Sequence, residues 1–409
     1  MRSLFTKAVH AGDRKKPGPH VPSTTPIVLS STFLYDTTET LDKIFGHEIH
    51  GQSYARYENP TNNALEELAA ELESGAGALA CASGMVALQT AILVALMDRN
   101  KSVVAASDLY GATINLLIKI LDPFGIAIRF VNICDLAAIE SAVIETKAGC
   151  VLMETVSNPI LRVGELDKIA AITKKHGAAL VVDNTFSSPL LIRPLEHGAN
   201  FSVHSATKYL AGHGDVLGGL IIADEAHLEP LRAYSRISGP IMGPFEAYLT
   251  MRGIKTFPLR MERQCKNANE IAKWLMSNTH VDKVFFTGDP NHPDADVIAR
   301  LFPKDMTGAI VSFEVKGAGK QGIFHFMDSL KMILRGTSLG DVHSLVLYPL
   351  IASHRDLSPK QRLRMGINDN LLRLSVGIEA VEDIIADLDQ AFSSLASHAY
   401  SGDPVAVHL

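Results

Sequence analysis

From Asn59 onward the chain alternates two apolar patterns. Short continuous apolar runs occupy residues 78–82, 103–106, 126–131, 151–154 and 180–183. Such runs read as strands buried on both faces. Longer segments with apolar residues on one side lie between them. The first opens at Pro60-Thr61-Asn62, carries Leu65, Leu68 and Leu72 at helical spacing, and stops at Gly75. Residues 85–97, 112–121, 135–145 and 166–175 follow as further helices. Buried strands separated by amphipathic helices predict an α/β fold, with a mainly parallel sheet covered on both faces. No segment repeats at a period of roughly 20–50 residues, which excludes a solenoid.

Two stretches depart from this rhythm. Residues 1–56 show no clear period and carry Pro17, Pro19, Pro22 and Pro26 among many serines and threonines. They predict an extended N-terminal arm that does not fold back into the core. Such an arm is longer than an ordinary loop, which points to work on a neighbouring subunit. Beyond residue 200 the pattern is mixed. Residues 201–203 read as a short strand and 244–278 as one long helical segment. Residues 308–315 and 371–377 read as strands, and 322–330 and 381–395 as helices. This predicts a smaller α+β domain after the large one. The expected division is an arm over 1–56, a large domain over 57–250 and a C-terminal domain over 251–409.

Composition then narrows the function classes. With 409 residues, 47% of them hydrophobic, the chain can bury a large core, and more than one compact domain is expected. The net charge of -6 comes without long runs of one sign, so no nucleic-acid partner is expected. The first seven residues are too polar for a signal peptide. The apolar stretch at 85–97 is interrupted by Gln89 and is too short for a bilayer, so no membrane partner is expected. Cys81, Cys134, Cys150 and Cys265 are scattered and read as buried thiols in a reducing cytoplasm. The histidines form neither an H-E-x-x-H nor a tight cluster with cysteine, so no metal site is expected.

Candidate chemistry gathers where the predicted strands end, the place ligands occupy in open α/β sheets. Residues 201–203 lead into Ser205-Ala-Thr-Lys208, and the glycine-rich Gly212-His-Gly-Asp-Val-Leu-Gly-Gly219 follows. A lysine among small hydroxyl residues after a strand is poorly placed for a surface ion pair. Desolvation would loosen its proton and suit it to form a Schiff base with an aldehyde. An exposed loop lysine is the competing reading. Asp183, 25 positions earlier, ends the apolar run Ala179-Leu-Val-Val-Asp183. A buried carboxylate there needs a partner, which a protonated pyridine nitrogen would supply. Ser83-Gly84-Met85 stands between a strand and a helix start, where backbone N–H groups suit a phosphate. An ordinary serine N-cap would look the same. Tyr110, before Gly111, could lay its ring against an aromatic ligand or simply cap the core. Phosphate seat, stacking ring, carboxylate and lysine are together the contacts of pyridoxal phosphate.

The motifs carry a resemblance. They are Tyr54-Ala-Arg-Tyr57, Asn59-Pro-Thr61, Ala82-Ser-Gly-Met85, Leu109-Tyr-Gly111, Glu154-Thr-Val-Ser-Asn-Pro159, Val182-Asp-Asn-Thr185, Ser205-Ala-Thr-Lys208, Met251-Arg-Gly-Ile-Lys-Thr256 and Leu372-Arg-Leu-Ser-Val-Gly377. Over nearly the whole chain they resemble the trans-sulfuration family of pyridoxal-phosphate enzymes. That family includes cystathionine γ-synthase, cystathionine γ-lyase, methionine γ-lyase and O-acetylhomoserine sulfhydrylase. The resemblance implies an aspartate-aminotransferase-like fold (fold type I) and a homotetramer made of two catalytic dimers. It implies Lys208 as the Schiff-base lysine, Asp183 on the pyridine nitrogen and Tyr110 on the ring. Ser83, Gly84, Met85, Ser205 and Thr207 would bind the phosphate, joined by Tyr54 and Arg56 of the neighbouring subunit. Arg373, helped by Ser338 and Asn158, would clamp the substrate carboxylate. The implied substrate is a small sulfur amino acid, cleaved or exchanged at its γ-carbon.

Three positions bear on which member this resembles. Ala112 stands where methionine γ-lyases resemble one another in a cysteine. His343 replaces a glutamate common in cystathionine enzymes. Tyr234-Ser-Arg-Ile-Ser238 lacks the lysine-aspartate pair of methionine γ-lyases. Length without large insertions and the run from Met251 to Thr256 favour a γ-lyase, with γ-replacement as the alternative. Two readings of other classes fit less well. Gly212, Gly214 and Gly218 are spaced one residue too wide for a dinucleotide fingerprint and do not open a βαβ unit. A scaffold without catalysis would not need the full set of cofactor residues.

Overall fold

The computed structural model describes residues 3–13, 21–46, 48–352, 354–355, 360, 362 and 365–397. Pro17 and Pro19 lie outside them. Seven strands form the large sheet: β1 (Gly77–Cys81), β2 (Ser102–Ala106), β3 (Ala127–Val131), β4 (Cys150–Glu154), β5 (Ala179–Asp183), β6 (Phe201–Ser205) and β7 (Gly219–Ala223). Their spatial order is β1-β7-β6-β5-β4-β2-β3. Six are parallel to one another, while β7 runs antiparallel to β1 and β6. The segment joining β6 to β7 crosses no helix, so the chain can only return antiparallel. That segment carries Lys208.

Side-chain alternation assigns helices to faces. Ser205 of β6 meets Gly84, which opens the helix Gly84–Ala95. The preceding residue, His204, meets Glu73 at the end of the helix Pro60–Glu73. These two helices therefore cover opposite faces. Strands β1, β2, β4 and β7 are buried throughout, whereas the edge strand β3 alternates exposed and half-buried positions.

A second sheet contains β8 (Val281–Phe285), β9 (Ile310–Val315), β10 (Leu334–Arg335), β11 (Leu345–Leu347) and β12 (Leu371–Ser375), in the order β10-β11-β12-β9-β8. It has its own core, including Phe313, Phe326, Leu372 and Phe392. The helix Phe257–Ser277 serves both cores: Phe257, Met261 and Cys265 pack with the large one, Ala268, Ile271 and Leu275 with the small one. We propose this helix, rather than residue 250, as the joint between two domains. No helix among the described residues is long and apolar enough to cross a membrane.

Several expected elements differ. The segment 244–278 is two helices, Pro244–Ile254 and Phe257–Ser277, broken at Lys255-Thr256 with Pro258 inside the second helix's first turn. The helix at 112–121 starts as Gly111–Asn115 and then widens into a π-helical turn, Leu116–Leu121. The arm is not wholly extended and does fold back. It contains the helices Leu4–His10 and Thr38–Phe45, and Leu4 and Ala8 are buried in the large core. Lys7 Nζ donates to the Glu71 carbonyl at 2.8 Å, pinning that first helix to the helix Pro60–Glu73. Of the four cysteines three are buried, while Cys134 is half-buried.

The loop after Lys208 is held by a buried cation. Arg260 Nη1 donates to the Tyr209 carbonyl at 2.8 Å, and Nη2 to the carbonyls of Gly253 and Leu210 at 2.9 and 3.2 Å. Gly212 closes this loop in the left-handed region at φ 71°, and a Cβ there would overlap the guanidinium. Gly212→Ala should therefore lower stability by roughly 2–4 kcal/mol, combining left-handed strain with overpacking. Urea unfolding measures this; an unchanged midpoint would mean the loop can leave Arg260 freely.

Candidate active site

Lys208 sits half-buried in the β6–β7 connection, just past a tight turn in which its N–H donates to the Ser205 carbonyl at 3.1 Å. Its Nζ donates to Ser338 Oγ at 2.9 Å. Burial, with the positive charge of Arg373 adding to it, lowers the Lys208 amine to a pKa of about 8. The exposed-lysine reading is thereby excluded.

Ser338 is a bridge. Its carbonyl accepts from Arg373 Nη2 at 3.1 Å, and Asn158 Oδ1 accepts from Arg373 Nη1 at 2.9 Å. Arg373, in the centre of β12, is 2% exposed, and its guanidinium lies 5.7 Å from the centre of the Phe186 ring. Burial lowers it to about 10. Its Nε is buried without a hydrogen-bond partner. An orphaned N–H on a buried cation is costly unless an anion arrives.

The strand ends supply the other wall. Glu154 and Asp183 are register partners at the ends of β4 and β5. Burial raises Asp183, against hydrogen bonds from the hydroxyl and N–H of Thr185, the latter at 3.0 Å. Burial raises Glu154 strongly as well, and the neighbouring Asp183 charge adds to that. Glu154 Oε1 accepts from the Tyr110 N–H at 2.7 Å, while Oε2 is buried without a partner. Tyr110 precedes the helix Gly111–Asn115 and is 40% exposed.

Thr185 connects this wall to the helix Gly84–Ala95: its Oγ1 accepts from the Ser205 N–H at 2.9 Å. A Cβ on Gly84 would come within 2.8 Å of Ser205 Cβ, so only glycine lets the helix start approach β6 so closely. Ser83 Oγ accepts from the Val86 N–H at 3.2 Å, the ordinary N-cap. That leaves the N–H groups of Gly84 and Met85 at the helix mouth without intrahelical acceptors. Thr207 Oγ1 accepts from the Gly218 N–H at 2.9 Å, fixing the glycine-rich turn.

Lys208, Ser338, Arg373 and Asn158 thus form one hydrogen-bonded chain. Asp183 and Ser205 are joined through Thr185, and Gly84 packs on Ser205. Tyr54 and Arg56 belong to neither group. The Arg56 guanidinium lies 4.8 Å from the Tyr57 ring centre and 5.6 Å from that of Tyr54, and its stem packs at Gly239. Sequence reasoning passed over Glu154 although it ends an apolar run just as Asp183 does. Thr185 was read only as the end of a motif, and Phe186 carried no local signal.

These residues fit an aldehyde cofactor with a phosphate. The amine is held near its neutral form, a strand-end acid lacks a cation, and a helix mouth offers free N–H groups. Fold and site together define a pyridoxal-phosphate-dependent enzyme of fold type I. More narrowly, the chain belongs to the Cys/Met metabolism PLP-dependent enzymes, whose family model matches residues 5–393. It is 38% identical over 399 residues to an L-methionine gamma-lyase of Pseudomonas putida, covering 96% of this chain and 97% of the relative. It is 39% identical over 346 residues to a cystathionine gamma-lyase of Bacillus subtilis (strain 168), covering 84% and 89%. The crystal structure of cystathionine gamma synthase from Xanthomonas oryzae pv. oryzae in complex with cystathionine matches with a TM-score of 0.89. That match has 35% identity and covers 97% of this chain and 99% of that one.

The lowered Lys208 amine makes a pH prediction. Desolvation penalises the ammonium, so the neutral, nucleophilic form dominates above pH of about 8. Reductive methylation of cofactor-free protein should label Lys208 with a rate that rises with pH and levels off there. Exposed lysines level off about two units higher. Peptide mapping, with Lys208→Ala as the blank, reads the profile; a plateau at the ordinary lysine value would contradict the burial effect.

Proposed function

We propose that this chain is a carbon–sulfur lyase acting at the γ-carbon of a small sulfur amino acid. It is of the methionine or cystathionine γ-lyase type and releases a 2-oxo acid, ammonia and a thiol. The observation that carries the reading is Ser338 standing between Lys208 Nζ and Arg373. It brings an amine held near neutrality and a guanidinium with a spare N–H to the same serine. A substrate carboxylate on Arg373 then presents its α-carbon to Lys208. The names of the Pseudomonas putida and Bacillus subtilis relatives support sulfur as the leaving atom.

Pyridoxal phosphate, when bound, supplies the electron sink that acidifies carbons near the substrate nitrogen. The chain's residues do the rest. Ser83, Gly84, Met85, Ser205 and Thr207 would hold the cofactor's phosphate at the helix mouth. Asp183 would keep the ring nitrogen protonated, and Tyr110 would stack on the ring. Arg373, aligned by Asn158 and Ser338, binds the substrate carboxylate. Lys208 Nζ takes the proton from the α-carbon. Once it has given that proton up, Lys208 Nζ would also take the β-carbon proton, and the γ substituent would depart as a thiol with a proton from the Tyr110 hydroxyl.

The second reading is γ-replacement, of the cystathionine γ-synthase or sulfhydrylase type, in which a thiol attacks instead. The Xanthomonas likeness favours it. A substrate panel separates the two. Methionine, cystathionine, homocysteine, cysteine and O-acylhomoserines should be offered with and without thiol, reading 2-oxo acid and thioether. Release of 2-oxo acid from methionine or cystathionine alone is the expected result. Thioether formation confined to O-acylhomoserine plus thiol would replace the lyase reading with the replacement one.

We also propose assembly as a dimer of dimers in which Tyr54 and Arg56 reach the partner's phosphate site. Leu29 and Leu34 on the same arm are 75% and 90% exposed, an apolar surface suited to a second copy. Losing the Arg56 contact should weaken cofactor binding roughly tenfold to a hundredfold. Mixing Arg56→Ala with Lys208→Ala subunits should restore part of the activity, because one shared site in each mixed dimer is intact. No recovery, with mixed dimers confirmed by mass spectrometry, would place Arg56 on its own subunit's site.

A further inference from the structure

Beneath Asp183, on the other face of the large sheet, lies a buried polar cluster that the chemistry above does not use. Glu73 is 1% exposed and His204 2%. Glu73 Oε1 accepts from His204 Nε2 at 2.5 Å and from Asn184 Nδ2 at 2.8 Å. Its Oε2 has no hydrogen-bond partner. Asn184 is fixed on its other side, donating to the Ile192 carbonyl at 2.9 Å and accepting from the hydroxyls of Thr155 and Ser187 at 3.1 and 2.8 Å.

The placement of this cluster is specific. Asn184 directly follows Asp183, and His204 directly follows Val203, the register partner of Asp183. Alternation turns Asp183 and Val203 to the face of the helix Gly84–Ala95, and Asn184 and His204 to the face of Glu73. One carboxylate oxygen therefore ties the ends of β5 and β6 together across the sheet from Asp183. A carboxylate so deeply buried is far less costly when its hydrogen-bonded neighbour carries the opposite charge. The cation of such a pair sits on His204, and Glu73 lies beyond it. Positive charge on His204 lowers Asp183, opposing the burial that raises it. The Asp183 charge in turn raises Glu154, its register partner on β4.

We propose that Glu73 and His204 are positioning residues for the cofactor's pyridine nitrogen: as a buried charge pair they brace the end of β5 and hold Asp183 ionised, so that Asp183 keeps that nitrogen protonated. Neither residue touches the cofactor. The proposal rests on the reading of Asp183 given under the proposed function, and the test separates the two.

The measurement is the 15N chemical shift of the pyridine nitrogen, in holoenzyme reconstituted with ring-15N pyridoxal phosphate. Asp183→Asn is the reference and should move the resonance to the unprotonated position. Glu73→Gln should move it in the same direction and lower kcat roughly tenfold with KM little changed, the scale of a lost outer-shell partner. The double variant Glu73→Gln/His204→Gln keeps two amides that can hydrogen-bond but carries no charge. It should fold where a single change leaves a lone buried charge, and it should show the same shift. If the double variant binds cofactor and keeps the protonated resonance while Asp183→Asn loses it, the cluster is structural only and the proposal fails. If Asp183→Asn itself leaves the resonance unmoved, the reading of Asp183 fails first and takes this one with it.

Discussion

The site depends on a lysine amine buried against a neutral hydroxyl, with a guanidinium as its nearest influential charge. Had a carboxylate stood where Ser338 stands, Lys208 would be a paired cation and a poor nucleophile. Burial and the Arg373 charge push the amine the same way, toward the neutral form. Two buried cationic groups on one serine would be untenable if both had to stay charged and unpaired. Arg373 is stabilised by two oxygen acceptors and the Phe186 face, so Lys208 is the group that yields its proton.

That condition requires both sheets. Lys208 and Asn158 come from the large one, whereas Arg373 belongs to β12 of the small one and Ser338 to the loop before β11. Their mutual placement is set by polar ties that cross between the cores. Ser312 Oγ donates to the Pro159 carbonyl at 2.7 Å. Gln264 Nε2 and Asn267 Nδ2, on the shared helix, donate to the carbonyls of Asp341 and Gly377 at 2.7 and 3.1 Å. The shared helix therefore does more than join two cores. It fixes the loops flanking Ser338 and Arg373 against the body that carries the lysine.

Much of this was legible in short stretches of sequence, because buried parallel strands advertise themselves as uninterrupted apolar runs. Asp183 stood out as a carboxylate ending such a run. Glu154 ends its run the same way and opens a quoted motif, but it was given no role because its neighbour across the sheet was invisible. Strand β7 was hidden because Gly219 looked like the end of a glycine-rich turn. The helix Glu225–Ser238 was hidden by an internal Pro230 and a mostly polar surface. Glu73 and His204 could not be paired from the sequence, since 131 positions separate them and a histidine in an apolar strand reads as core. Arg373, Ser338 and Asn158 came from the family resemblance, not from any local pattern.

Residues that handle the α-carbon are shared by elimination and replacement, so choice of leaving group has to reside at the outer end of the substrate. The loop at 341–343 bears on that choice. Its one acid, Asp341, has a side chain only 13% exposed, and Oδ1 lies 3.2 Å from His343 Nδ1. A second ammonium at the far end of a substrate would need a carboxylate free to meet it, since an unpaired charge in a closing cleft is poorly tolerated. Here the acid is already engaged by His343, whose side chain is the more exposed of the two. A thioether ending in an uncharged alkyl group makes no such demand. As it stands, the loop offers no free carboxylate to a distal ammonium.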